Sequence, residues 1–519
     1  MTTDPVGAAP RLPPRVDVLI VGSGPVGAAF ARELHEAAPR LTVLMVEAGP
    51  HLTEVPGANV RNLDPRDRRR AQDLATGWTG RQTSDTGRID GRLVSRPGTV
   101  LVSEADTTED DQTGMPAAAL SANVGGMGAH WTCACPKPGD SERIGFLGDA
   151  FDEAFDRAHE LLGVTTEAFP ATEASRELHR TLSKLFDAGR PSDRRVQPMP
   201  LACAPTGNPL PHWSGTDTVL GPLAHAGQGH FAIAAETVCR RLLHTSGRVS
   251  DAVLADRRTG RTHVVGVQAV VVAADALRTP QLLWASGVRP RALGRYLNDQ
   301  PQIVGALALR TTSTITSTAK EDRRELLTGV LWIPFHEPDF PFHTQVMQAG
   351  TTPIDIPGAA PQNRPVVTWG RFTTKDVRAE DRVEFSDSEV DDFGLPRMTI
   401  HYGLSDRDLD TIARAEREMV EQAESIGDFF PGSRPRLLPA GSSLHYQGTV
   451  RMGEADDSTS VCDRNSLVWG FENLYVGGNG VIPTATACNP TATSTALAVL
   501  ASRHLVRRAV QQSSTGSTR

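Results

Sequence analysis

Six residues near the amino end, Gly22-Ser23-Gly24-Pro25-Val26-Gly27, have the types and spacing to cradle a pyrophosphate. In such a turn the first glycine closes the bend and the second lets phosphate oxygens reach the backbone. The third lets the following helix pack on the preceding strand. A helix N-terminus at this point offers free N–H groups and positive partial charge to the phosphates. Glu47, twenty residues past the last glycine, is placed to accept a hydrogen bond from an adenosine ribose hydroxyl. The chemistry implied is the binding of a dinucleotide. A second stretch, residues 121–136 (SANVGGMGAHWTCACP), packs paired glycines, Met127, His130 and Trp131 into a few positions. It suits backbone lying close against a flat ligand.

These residues need a scaffold. The run 16–21 is apolar and rich in β-branched residues, broken only by Asp17, as a buried parallel strand should be. A helix follows to about Ala37, and 41–46 reads as a second strand. Residues 264–267 and 269–273 read as strands, with a helix at 279–285 that ends near Gly287. Joined to 16–49 in one sheet, they make the nucleotide domain discontinuous. Two amphipathic helices are expected between 151 and 185, one carrying Ala154, Phe155, Ala158, Leu161 and Leu162. The runs 343–349, 366–372, 382–385 and 397–403 read as strands of an antiparallel sheet. Ser405 then caps a helix whose core stripe is Leu409, Ile412, Ala413, Met419, Val420, Ala423 and Ile426. A strand at 474–476 and a helix from Thr491 to about Val506 close the chain. The fold class expected is α/β, a discontinuous Rossmann-like cofactor domain plus a substrate domain with a mostly antiparallel sheet flanked by helices. The first takes 16–160, 215–300 and 441–510, and the second 161–214 and 301–440, with tails at 1–15 and 511–519.

At 519 residues the chain is long enough for a sizeable core, and its net charge of −8 gives no electrostatic footprint for nucleic acid. The basic cluster 66–70 has Asp67 inside it and reads as a solvated helix face. No apolar run reaches membrane-spanning length, and no charged-then-apolar leader opens the chain. Six scattered cysteines suggest reduced thiols in a cytoplasmic protein. Cys133 and Cys135 lack the spacing of a zinc knuckle, no HExxH is present, and no metal is expected.

Six stretches together carry a family resemblance: GSGPVG with Glu47, NVGGMGAHWTCACP, DALRTPQLLWASG (275–287), LGRYLNDQPQ (293–302), LHYQGTVRMG (444–453) and NLYVGGNGVIPTATACNPTATSTALA (473–498). They span nearly the whole chain, which resembles the glucose–methanol–choline flavoprotein oxidoreductases. Within them it is similar to pyranose oxidases and their bacterial relatives, some of which act on C-glycosides. The resemblance implies bound FAD and oxidation of a secondary hydroxyl at carbon 2 or 3 of a pyranose or glycoside. Electrons would pass to O₂, giving hydrogen peroxide, or to a quinone. His445 falls on the family's catalytic histidine and Asn489 on its partner. A neutral imidazole with an ordinary pKa of about 6.5 suits removal of the hydroxyl proton, and a carboxamide can donate to the developing alkoxide.

Cofactor contacts implied by the resemblance are Gly22, Ser23, Gly24, Pro25, Gly27, Glu47, Ala48, Gly126, Met127, His130, Trp131, Thr132, Val238, Ala274, Asn479, Gly480 and Thr491. Thr132 matches the threonine beside flavin N5, and Val238 the residue whose backbone meets adenine. His130 matches the histidine that fungal pyranose oxidases bond to the flavin, but Gly128-Ala129 replaces their Ser-Thr, so covalent and noncovalent FAD both stay open. Asp275 stands where the family has Gly or Ser. A substrate loop is expected within 332–362, where Trp332, Phe335, Phe340 and Phe342 offer either sugar-stacking faces or packing. The chain lacks the extra segments used in fungal tetramers, so a monomer is expected. A nicotinamide-dependent dehydrogenase and a flavin-binding protein without turnover are the rival readings.

Overall fold

Strand β1 (Arg15–Val21) leads into helix α1 (Pro25–Ala37) and back through β2 (Val43–Val46), with Val18 beside Val43 and Val21 beside Val46 in parallel register. Both strands are buried along nearly their whole length, which is why they read as apolar runs broken only at Asp17. The computed structural model describes residues 12–76, 87–89, 92–102, 112–207, 210–225, 230–310, 327–349 and 365–516. Helix α2 (Pro65–Thr76) carries the basic cluster on a largely exposed face. Helices α3 (Asp149–Leu162) and α4 (Glu173–Phe186) follow. α3 buries Phe151, Ala154, Phe155, Ala158, Leu161 and Leu162.

β3 (Phe231–Ala234) lies parallel to β2. β4 (Thr237–Thr245), β5 (Arg248–Asp256) and β6 (Thr262–Val272) form an antiparallel meander whose last strand runs parallel to β1. The sheet order is β3-β2-β1-β6-β5-β4. The two strands expected at 264–267 and 269–273 are therefore one. Its first half pairs with β5 and its second with β1, and the strand runs on through Gln268 without a break. Helix α5 (Asp275–Ala285) starts four residues earlier than the expected 279 and holds Pro280 inside. Pro280 has no N–H for the carbonyl of Ala276, and the Thr449 hydroxyl donates to that carbonyl instead.

The second sheet is antiparallel, and its four long strands run in the order β7 (Gln302–Leu309), β10 (Val366–Thr373), β9 (Phe342–Ala349), β8 (Leu327–Ile333), with the short strands Gly427–Phe429 and Arg436–Leu437 beside β7 and Gln197–Pro198 beside β8. β7 and β8 are strands beyond those expected. The hairpin β11 (Arg382–Val390) and β12 (Pro396–His401) forms a separate two-stranded sheet and not part of this one. Side chains alternate across the second sheet. Ile303, Leu307, Val346, Val367 and Trp369 meet helix α6 (Asp406–Ile426), while Val304, Gln345, Met347, Thr368, Gly370 and Phe372 line a cavity on the other side. Ser405 caps α6 by accepting from the Asp408 N–H. Its buried stripe is Ile412, Ala415, Met419, Ala423 and Ile426, whereas Leu409 and Ala413, expected in it, are exposed.

β13 (Leu474–Val476) joins the first sheet beside β6, and α7 (Thr491–Gly516) runs on past Val506 into the expected tail. Trp332, Phe335, Phe340 and Phe342 are all buried, so they pack and present no open sugar-stacking face. The rest of the expected substrate loop, 350–362, lies outside the described residues. All six cysteines are free and buried. Among the described residues no helix is long and apolar enough to cross a membrane.

Candidate active site

The glycine turn after β1 divides its work among its residues. Gly22 has φ +104°, and a Cβ there would overlap the Ala273 carbonyl of the neighbouring strand. A Cβ at Gly27 would overlap the Gly22 carbonyl, so α1 rests directly on the turn. At Gly24 a Cβ would meet no described heavy atom within 4 Å, because that position opens onto the cavity. The second glycine thus leaves room for something the chain itself does not fill. The first turn of α1 faces the same space, through Pro25 and Val26. At the end of β2, Glu47 accepts from the Ser23 hydroxyl at 2.8 Å, the Ser23 N–H at 3.2 Å and the Gly49 N–H at 3.1 Å. Burial pushes its carboxyl above the usual range. An ionised carboxylate has acceptor capacity left for a ribose hydroxyl.

The segment after residue 121 is tied to that turn, since the Gly125 N–H donates to Ser23 Oγ at 2.9 Å. Asn123 donates its Nδ2 to the carbonyls of Val124 and Gly126, which leaves Oδ1 facing His130 Nε2 at 3.0 Å. The His130 proton therefore sits on Nε2. Its Nδ1 is buried, has no hydrogen-bond partner among the described residues and lies against Gly98. Burial pushes His130 down to about 4, so the ring is neutral. Trp131 is held by its indole N–H, which donates to the Ser214 carbonyl at 2.8 Å.

His445 follows Leu444, whose φ of +61° is strained for a branched side chain. Asp299 reaches under this turn, accepting from the Ser443 hydroxyl and from the Gly441 N–H. The His445 ring lies with Nδ1 2.7 Å from Gln300 Oε1 and Nε2 3.3 Å from Asn489 Nδ2. Gln300 Nε2 spends its hydrogens on the Cys488 carbonyl at 2.7 Å and Thr486 Oγ1 at 3.0 Å. Its oxygen must then face the imidazole, and an amide oxygen can only accept. The His445 proton is consequently on Nδ1, and Nε2 keeps its lone pair. Burial, with the charge of Arg96 behind it, pushes His445 down to about 3. The arrangement is a neutral base beside a carboxamide donor, suited to taking a hydroxyl proton while steadying the oxygen.

One cavity of about 2670 Å³ joins these parts. Gly22, Ser23, Gly24, Pro25, Glu47, Ala48, Gly126, Met127, His130, Trp131, Thr132, Val238, Ala274, Asn479, Thr491, His445 and Asn489 all line it. Gly27 and Gly480 do not. Gly27 packs under the turn, and Gly480 is wedged against Val450 and Thr449. Sequence reasoning missed Asp299, Gln300 and Gln345. The signal was available for Gln300, because a histidine base needs a partner that fixes its tautomer, and LGRYLNDQPQ holds one. Among the described residues no group of three His, Cys, Asp or Glu side chains could hold a metal ion.

Two family models, both described as GMC oxidoreductase, match residues 140–302 and 378–498. A C-glycoside 3-oxidase of Microbacterium trichothecenolyticum is 49% identical over 506 residues, 95% of this chain and 97% of that protein. A pyranose 2-oxidase of Tricholoma matsutake is 33% identical over 93% of this chain and 92% of its own length. The solved structure of pyridoxine 4-oxidase from "Mesorbium loti" superposes with a TM-score of 0.65 at 20% identity, covering 94% of this chain and 99% of that one. That last likeness speaks for the fold.

Proposed function

Because the chain belongs to the GMC oxidoreductase family, we propose that it is an FAD-dependent oxidase of pyranoses and glycosides, C-glycosides included. The observation that carries this reading is the pairing of an unprotonated His445 Nε2 with the Asn489 amide in the cavity that also holds the Gly24 opening. In this reading the amides at the start of α1 and the space at Gly24 take the pyrophosphate, and Glu47 takes the ribose. Val238 would help to hold the adenine, and Met127, Trp131 and Thr132 the ring system. Bound FAD supplies the hydride acceptor and passes the electron pair to O₂, giving hydrogen peroxide, or to a quinone. His445 takes the hydroxyl proton on Nε2, and Asn489 donates to the oxygen as negative charge grows there. Position 3 is favoured over position 2, since the 49% identical relative is named a 3-oxidase and the 33% identical one a 2-oxidase.

Anaerobic mixing with a sugar or glycoside tests the reading. The yellow holoprotein should bleach, and NMR of the product should show a ring ketone. A colourless protein that oxidises alcohols only with added nicotinamide cofactor would contradict it.

The environment of His130 favours noncovalent FAD. Its Nε2–H is engaged by Asn123, and the bare Nδ1 is turned into Gly98. Acid precipitation should leave the yellow colour in the supernatant; a yellow pellet would establish the covalent bond instead.

A further inference from the structure

Three peptide units in a row are held fast just ahead of Asn489. Glu142, which ends a short turn at Asp140–Glu142, is only 1% exposed and meets this loop through its carboxylate. Its Oε1 accepts from the N–H groups of Ala487 and Cys488, at 2.8 and 2.9 Å. Its Oε2 accepts from the Gly139 N–H at 3.0 Å. The third unit is held by its carbonyl, since Cys488 O accepts from Gln300 Nε2. On the other side of Asn489, Pro490 restricts its backbone and α7 begins at Thr491.

Every donor to Glu142 is a backbone N–H, so the direction of each bond is fixed by chemistry. A carboxylate accepts on both oxygens, whereas a carboxylic acid or an amide carries a hydrogen on one side. Burial pushes the Glu142 carboxyl above the usual range, and the three N–H groups oppose that push. Arg194, whose charge also favours the carboxylate, donates its own N–H groups to the carbonyls of Lys137 and Pro138. The carboxylate is thus spent on backbone, and two of its three bonds go to the residues that lead into Asn489.

We propose that Glu142 is a positioning residue that sets the 487–488 backbone, and with it the place of the Asn489 amide against His445 Nε2 and the substrate oxygen. The role rests on the function proposed above for Asn489. Glu142 does not line the cavity, so it acts through the loop and not on the substrate.

Reach and charge can be separated by substitution. Glu142→Gln keeps the length and loses the charge; its Oε1 can stay on Ala487 and Cys488 at the expense of Gly139 alone. Glu142→Asp keeps the charge but is one methylene shorter. The test is anaerobic flavin reduction by a sugar or glycoside that bleaches the native holoprotein, measured on FAD-loaded variants. Glu142→Gln should stay within about threefold of the native limiting rate, whereas Glu142→Asp should fall about 10–100-fold, with a smaller change in sugar affinity. In an Asn489→Ala background most of the Glu142→Asp loss should disappear, since it is exerted through that amide. Glu142→Ala, which leaves space for water to meet the freed N–H groups, carries the same test should Glu142→Asp fail to fold. A Glu142→Gln variant as slow as Glu142→Asp, or a loss of equal size in both backgrounds, overturns the role of Glu142. A native holoprotein that no sugar or glycoside bleaches removes the proposed function itself, and Glu142 with it.

Discussion

His445→Ala is expected to slow anaerobic bleaching by a sugar roughly 10²–10⁴-fold, with FAD still bound. The size follows from what the imidazole alone provides. Gln300 holds the proton on Nδ1, so Nε2 is a base at the moment a hydroxyl arrives. Among the described residues that line the cavity, Asn489 and Gln345 beside it are amides, which cannot accept a proton at neutral pH. The pH dependence has a definite sign. Burial and Arg96 push His445 from 6.5 down to about 3, so the ring stays neutral as pH falls through 6.5. The acid limb of the native reduction rate should therefore lie well below pH 6.5, towards pH 3. Stopped-flow bleaching across pH checks both statements. An unchanged rate in His445→Ala, or a native acid limb centred near 6.5, counts against His445 as the base.

Gly24→Val should give a folded protein that no longer retains FAD through gel filtration. Nothing among the described residues stands within 4 Å of a Cβ at this position, so the apoprotein has room for the side chain. The methyl groups would instead enter the space assigned to the pyrophosphate, where overpacking costs about 1–3 kcal/mol, or roughly tenfold to hundredfold in affinity. Gly22→Val is the contrasting variant. There a side chain overlaps the Ala273 carbonyl and the backbone is at φ +104°, so the fold itself should suffer. Full FAD occupancy in Gly24→Val would show that the cofactor does not approach this turn.

These two sites differ in how they could be read from the sequence. The β1–α1–β2 unit is local, and every feature of it lies within 16–49: strand, glycine spacing, Pro25 at the helix start, Glu47 at the strand end. His445 and Asn489 are legible only through the family resemblance, because 44 residues separate them and no local pattern pairs them. The side chains that orient them are harder still. Gln345 stands on β9, a strand that was expected, but Gln300 stands just ahead of β7, which was not, and β7 offered no alternation to find it by. Seven of its eight residues are buried, so its run Gln302–Leu309 reads as uniformly apolar. The same uniform burial explains the aromatics around 332–342, whose composition is that of a binding surface but whose place is a core. On α6 the stripe was displaced because Leu409 and Ala413 satisfy the apolar pattern, yet the helix turns Ala415 inward in their stead.

The most direct test of the account is the isotope dependence of anaerobic bleaching with a C-glycoside deuterated at a single ring carbon. If His445 and Asn489 hold the position-3 hydroxyl for hydride removal, deuterium at carbon 3 slows bleaching while deuterium at carbon 2 leaves it nearly unchanged. Slowing by neither label, in a protein that still binds the glycoside, would contradict hydride removal at this site.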